Sequence, residues 1–497
     1  MRHSSNRHPL LLHRHHTPRK DVKMTTGPLF GKIIAFSIPI IFTNLLQVLF
    51  NATDMMVVSL STEANSVGAI GTTSAMISTI LTLFIGIAGG VTVVVAQRLG
   101  AGDGEATERA VHTAVAMALP FGFAAMATLM CIAEPLLRLL GDTGDVLRLA
   151  VLYTRIYAAG FPLASLLNFV NGVFNAKGDS RTPLFVMTAA GALNVALNLF
   201  FVLVCKMSVD GVAIATVVSN GLAAVTLLFF LKKSDGPCRF YFKKLAFHKK
   251  AFKEILYNGV PNAVQGSLFG ISNMMILSSV MQVNNAVMAS LPAENAFQPV
   301  ANGNVVAGNI EGFAYTTVHS VAQASLPFAG QNEGAGEHRR AARVLWTSLL
   351  FAGALGMLIG WAAILFRTQL FALYGVRNIE GVQAIAFEAA TIRMKVMLTF
   401  YFTAAMMEVG GAVLRGIGKP LASAGIVFSG VCVLRVVWMK TIFRYYFATH
   451  ADAPLNALAS IYISYPVSWA LAGTLLCAVS LLTLRRRARK DAAEKTE

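Results

Sequence analysis

The chain has 497 residues, 55% of them apolar and only 13% charged, with 41 Lys and Arg against 24 Asp and Glu for a net charge of +17. Soluble domains carry about 25% charged residues, so at a mean hydropathy of +0.61 most of this chain belongs in lipid, and a string of soluble domains is excluded. A nucleic-acid partner would need the basic excess as a patch on a folded soluble surface, and none is expected.

In chain order, residues 1–24 come first, a basic tail with five of the ten histidines (His3, His8, His13, His15, His16) and no stretch fit for a secretory signal. It reads as disordered, with metal binding by a His-rich tract as the competing reading. Met24 is a candidate initiator, because the apolar sequence starts just after it. A membrane-crossing helix needs about 20 mostly apolar residues. Twelve such windows follow, near 33–58, 67–97, 110–133, 150–171, 183–204, 211–231, 255–281, 301–327, 341–366, 388–414, 420–447 and 456–484. They predict an all-α integral membrane protein with one six-helix lobe at 25–231, a basic linker at 232–254, a second lobe at 255–484 and a tail at 485–497. The five cysteines are scattered, with no disulfide framework and no metal spacing.

Twelve crossings put both termini on one side. Of the 41 basic residues, thirty fall in the tails and loops of that side and five in the loops of the other. The positive-inside rule makes that side cytoplasmic. The basic excess is mostly a topology signal.

The two halves repeat. Ser37-Ile38-Pro39 in the first span matches Gly259-Val260-Pro261 in the seventh. Gln97-Arg98-Leu99-Gly100-Ala101-Gly102-Asp103 after the second span matches Gln331-Asn332-Glu333-Gly334-Ala335-Gly336-Glu337 after the eighth. Arg155 matches Arg393, and 172–178 matches 412–418. Six crossings return the chain to its starting side, so the repeats are parallel and related by an axis along the membrane normal, as in transporters that bind substrate between lobes. The Gly-rich loops read as turn chemistry rather than as substrate contacts.

These residues resemble the multidrug and toxic compound extrusion (MATE) family. The run Val95-Ala96-Gln97-Arg98-Leu99-Gly100-Ala101-Gly102-Asp103 is similar to its loop after the second helix, and Gly330-Gln331-Asn332-Glu333-Gly334-Ala335-Gly336 to its loop after the eighth. Asn175-Ala176-Lys177-Gly178-Asp179, Asn309-Ile310-Glu311-Gly312-Phe313 and Leu414-Arg415-Gly416-Ile417-Gly418-Lys419 add to the likeness, which covers about 25–485 and lies closest to the MepA-like bacterial branch. The resemblance implies a V-shaped bundle and a monomer in the bacterial inner membrane that exports organic cations in exchange for Na+ or H+, with no cofactor beyond that ion. It also implies that Asp54, in its Asn51-Ala52-Thr53-Asp54 context, is central to coupling. Some members place an aspartate where this chain has Asn198, which leaves a single carboxylate here.

Ionisable groups inside spans are functional candidates. At 1.5 Å per residue, Asp54 lies roughly 33 Å from the cytoplasmic edge, Asn194 and Asn198 about 20 and 26 Å, and Thr216 about 24 Å. One carboxylate, two amides and a hydroxyl make an oxygen set suited to a small cation, so Asp54, Asn194, Asn198 and Thr216 form the candidate coupling site, with Asp54 and Asn198 as the candidate Na+ ligands. The competing reading is an interfacial, solvated Asp54 beside an interhelical amide pair. In the second half Arg435 and Glu311 lie about 24 and 25 Å deep and Glu408 only about 10 Å. Depth therefore favours a buried Glu311–Arg435 pair over Glu408, the alternative being two groups that face a wet cavity separately. Arg155 and Arg393 sit near outer helix ends and read as snorkelling. A flippase for a lipid-linked precursor is the main rival function, disfavoured because the six cations within spans lie mostly near their ends. A membrane-embedded enzyme is a distant third, since the span histidines His112 and His319 look isolated.

Overall fold

The computed structural model describes residues 22–61, 63, 65–139, 143–291, 297–450 and 453–494. The His-rich stretch 1–21 lies outside them. All described elements are helical, and twelve crossings can be followed. The first lobe has α1 (Leu29–Val58), α2 (Ser66–Gly100) and α3 (Gly104–Leu139), then α4 (Gly144–Ala159) and α5 (Phe161–Lys177), which form one span bent by 49°. It ends with α6 (Arg181–Leu199), prolonged by a wide π turn over Phe200–Val204, and α7 (Val209–Lys232). The second lobe has α8 (Lys249–Ala289), α9 (Pro299–Gly334), α10 (His338–Leu365) and the short α11 (Arg367–Leu373). The span of α12 (Val382–Thr399) and α13 (Phe402–Gly416) bends by 53°. The next breaks into α14 (Pro420–Val427), α15 (Leu434–Trp438) and α16 (Arg444–Thr449), with π turns Phe428–Val433 and Met439–Phe443 between them, and α17 (Ala457–Glu494) completes the fold.

Among the described residues nine spans are apolar enough to cross a bilayer alone and the two bent pairs do so jointly. The remaining span, α9, is 36 residues long but carries Asn302, Asn304, Asn309 and Glu311. It packs against α1, α2, α10, α12 and α13, and Asn304 is buried among them while Glu311 is ion-paired with Arg393, so these polar groups are met by protein, as the absence of water in the hydrocarbon requires. One apolar core draws almost wholly on 276–484 and two smaller ones on 57–255.

Two predicted boundaries shift. α8 starts at Lys249, inside the 232–254 linker, and α17 continues past 484 to Glu494. There Arg487 bonds Glu333 and the Ile417 carbonyl, and Asp491 lies 3.0 Å from His338. These contacts hold the extension of α17 beyond 484 against the second lobe. The linker is pinned to α3: the Tyr241 N–H donates to His112 Nε2 at 3.0 Å, and Lys244 reaches Glu108 at 2.7 Å. That contact stabilises the protonated amine, raising the Lys244 pKa above its ordinary value.

The lobes meet on the face that carries residues 22–27 and the last turns of α17. Gln97 Nε2 donates to the Gly416 carbonyl at 2.8 Å, and its repeat counterpart Gln331 donates to the Ala176 carbonyl at 2.7 Å. The C-terminal ends of α2 and α9 cross so closely that a Cβ on Gly100 would overlap the Gln331 carbonyl, and one on Gly334 the Gln97 carbonyl. Gly102 and Gly336 both turn at φ +70°, a left-handed conformation that favours glycine. Residues 22–27 lie across this junction. Val22 N–H bonds Gly178 O in the first lobe, while Arg340 of the second donates to the carbonyls of Met24, Thr26 and Gly27. Met24 itself is 0% exposed.

Gly100→Ala or Gly334→Ala should therefore force the lobes apart at the cost of overpacking, about 1–3 kcal/mol. A drop of several degrees in detergent melting temperature is expected for either. Gly270→Ala, where a Cβ meets nothing within 4 Å, should melt like the parent; equal melting of all four proteins would refute the crossing.

Candidate functional site

The first-lobe cavity, about 200 Å³, lies among α1, α2, the α4–α5 span, α6 and α7. Asn194 and Asn198 occur one turn apart on α6 and so share a face. Asn198 Nδ2 donates to Asp54 Oδ1 at 2.5 Å and to Asn194 Oδ1 at 3.2 Å, and Asn194 Nδ2 donates to Thr216 Oγ1 at 3.2 Å. The four residues singled out in the sequence thus form one connected set. Asn198 is fully buried, and its Oδ1 has no hydrogen-bond partner among the described residues. Asp54 has no ion pair among them within 4.0 Å, so its charge is matched only by dipoles. A carboxylate, an orphaned amide oxygen and a hydroxyl fit a small cation or a proton. No group of three His, Cys, Asp or Glu suited to a transition metal occurs among the described residues.

The second-lobe cavity is larger, about 490 Å³, and its pairing differs from expectation. Glu311 does not pair with Arg435. It accepts from Arg393, with Glu311 Oε2 2.8 Å from Nη2 and 3.3 Å from Nε, and Arg393 Nη1 donates to Asn304 Oδ1 at 2.6 Å. Arg393 is therefore a buried ion-pair partner rather than a snorkelling side chain. Similar depth placed Glu311 and Arg435 together, but depth says nothing about which way round the helix a group points. Arg435 is 2% exposed. It donates from Nε to Ser468 Oγ at 3.0 Å and stacks 4.0 Å from the Tyr465 ring centre.

Glu408 is also engaged: His319 Nδ1 lies 2.9 Å from Oε2 and Tyr315 donates to Oε1 at 3.3 Å. His319 is not isolated. Its Nε2 is 3.1 Å from Gln323 Nε2, and Gln323 Oε1 accepts from Asn44 of α1 at 3.1 Å. All these bonds are satisfied together by a neutral ring carrying its proton on Nδ1. The i, i+4 spacing of Tyr315, His319 and Gln323 was the readable signal for this chain. Three arginines, Arg393, Arg415 and Arg435, line one cavity with two glutamates, so counting cations by distance from span ends understated their convergence.

Twelve helical crossings in two lobes around polar intramembrane cavities define a multi-pass membrane transporter. The sequence profile of the MatE family matches residues 39–200 and 270–439, and the chain belongs to that family. It is similar to the probable multidrug resistance protein YpnP of Bacillus subtilis, 28% identical over 65% of this chain and 69% of that protein. It is also similar to the multidrug export protein MepA of Staphylococcus aureus, 20% identical over 53% of this chain and 58% of that protein. A solved structure described as the outward-facing conformation of a multidrug resistance MATE family transporter superposes with a TM-score of 0.83 at 20% identity, covering 94% of this chain and 99% of that one. The protein is a transporter rather than an enzyme, and the family implies no cofactor.

Glu311→Gln would leave Arg393 buried without a countercharge, which costs about 3–5 kcal/mol. The double variant Glu311→Gln with Arg393→Met should recover much of that in detergent melting. Additive single and double effects would show that the two side chains are not coupled.

Proposed function

We propose that the protein is a secondary active antiporter. It exports organic cations and drugs across the bacterial inner membrane in exchange for Na+ or H+, by alternating access, as a monomer with both termini in the cytoplasm. The observation that carries the reading is the contrast among intramembrane carboxylates. Glu311 is ion-paired with Arg393, and Glu408 shares its cavity with Arg415, whereas among the described residues no Lys, Arg or His lines the cavity at Asp54, which is matched by neutral dipoles. A carboxylate without a partner gains most from an arriving cation, since buried charge in lipid is costly until compensated.

Asp54 and Asn198 are the proposed ligands of the coupling ion, with Asn194 and Thr216 orienting them. Ion binding there drives drug release only if ion and drug prefer different states, because a ligand shifts an equilibrium by its differential affinity alone. A further cavity of about 170 Å³, lined by α1, α2, α5, α8, α9 and α13, shares Gln47, Ile85, Asn168 and Asn171 with the first-lobe cavity, so an ion at Asp54 would lie within a continuous, largely polar lining. A flippase for a lipid-linked pyrophosphate fits less well. Two of the second-lobe cavity's three guanidiniums are offset by carboxylates in the same wall, which leaves about one net positive charge for a multiply charged headgroup.

Ethidium efflux from proteoliposomes under an imposed Na+ or pH gradient tests the exchange. One of the two gradients should drive efflux, and Asp54→Asn should reduce the driven rate roughly tenfold or more. No response to either gradient would end the antiport reading, and an unchanged response in Asp54→Asn would end the site. Orientation has its own check: a fluorescent protein fused to the C-terminus should be bright and alkaline phosphatase fused there inactive, the reverse placing the termini outside.

A further inference from the structure

We propose that the outer face of the first lobe holds a binding site for an anionic phospholipid, with one acyl chain in a groove between α6 and α7 and the phosphate between Arg181 and Lys233. The groove, about 450 Å³, is lined by Phe185, Ala189 and Leu193 of α6 and by Leu222, Thr226 and Phe230 of α7. On each helix these residues recur at i, i+4, so each set forms one row, and apart from Thr226 they are apolar. Phe185 is 65% exposed and Leu222 51%, so no described helix covers the groove, and in a membrane-spanning pair lipid is what meets such a face.

Its length matches one leaflet. Phe185 to Leu193 and Leu222 to Phe230 each rise about 12 Å at 1.5 Å per residue, against about 15 Å for half of the hydrocarbon core. The two helices are joined by a short connection at their far ends, so the start of α6 and the end of α7 lie on the same side. Arg181 stands one turn before Phe185 in the same row, and Lys233 stands one turn after Phe230 and two after Thr226. The two cations therefore flank the groove where it reaches the headgroups.

The charges there are available. Asp179, beside Arg181, is taken by Thr182 at 2.7 Å and Lys177 at 3.8 Å. Lys233 rests 4.3 Å from the Phe229 ring centre, a contact that leaves its ammonium free to donate. Arg181, Lys232 and Lys233 against Asp235 leave a local excess of two positive charges. Basic groups at this level attract anionic headgroups, whereas the ammonium of a zwitterionic lipid would meet repulsion. Ala190 lines this groove on one side and the Asp54 cavity on the other. A seated chain thus packs the pair of helices joined by the Asn194–Thr216 bond; that consequence for coupling rests on the antiport reading, and the site itself does not.

Native mass spectrometry of the delipidated protein, titrated with phosphatidylglycerol or phosphatidylcholine of identical chains, tests it. Phosphatidylglycerol should bind about tenfold more tightly. Arg181→Gln with Lys233→Gln should abolish that preference, whereas Arg339→Gln, which removes an exposed cation at the start of α10, should leave it. Ala189→Phe, which fills the groove, should weaken both lipids. Equal binding of the two lipids by the parent protein would overturn the proposal, and that outcome needs no variant to fold. An equal loss in Arg339→Gln would also overturn it, because the preference would then belong to the whole basic face. So would displacement by millimolar glycerol phosphate, which has the headgroup charge without the chains, or a dimer that retains no lipid, which would give the groove to a second copy. Failure of the antiport reading shows separately, as loss of gradient-driven efflux with the lipid preference intact.

Discussion

Two helix ends, the C-termini of α2 and α9, cross so closely that neither tolerates a side chain at the crossing. Gly100 lies on the Gln331 carbonyl and Gly334 on the Gln97 carbonyl, with each glutamine bonding the backbone of the opposite lobe. The rest of the architecture depends on this junction. It holds α2 and α9 together at the end where residues 22–27 also bridge the lobes, and the same two helices run on to line the cavities. A paired crossing built from equivalent residues is the natural product of a parallel repeat, since a contact that works once is available again through the pseudo-two-fold.

Above the junction the repeats diverge in charge. The first lobe surrounds one carboxylate with amides and hydroxyls, whereas the second packs three arginines and two glutamates around aromatic rings. A symmetric scaffold with unlike cavities can bind two kinds of ligand and link them through one rigid-body motion. Coupling then requires only that each ligand favour a different arrangement of the lobes.

Much of the fold was legible because a bilayer imposes length and polarity on every crossing, and the Gly-rich loops punctuate the sequence at equivalent points. Even α9, too polar to pass as a span alone, was among the twelve windows, at 301–327. The Asp54 set was legible for a different reason: Asn194 and Asn198 share a helix face by spacing, and Asp54 and Thr216 lie at overlapping depths. Arg435 was misassigned because depth is one coordinate and partnership needs three; azimuth is decided by packing. Arg393 was misread for a related reason, since its nearness to an outer helix end concealed that α9 brings Glu311 and Asn304 beside it. His319 looked isolated along the chain because Glu408 and Asn44 come from other helices.

The chain from Asn44 through Gln323 and His319 to Glu408 begins in one lobe and ends in the other. Its imidazole sits between an amide donor and a carboxylate: Glu408 only accepts, which puts the ring proton on Nδ1, while Gln323 is oriented by its bond from Asn44 of α1. Were the lobes to part as alternating access requires, Gln323 would lose its partner from α1 and could turn, changing the hydrogen bond that Nε2 accepts. The nitrogen chemical shifts of this one side chain would thus report the separation of the lobes, a spectroscopic clock built into the protein without any added label.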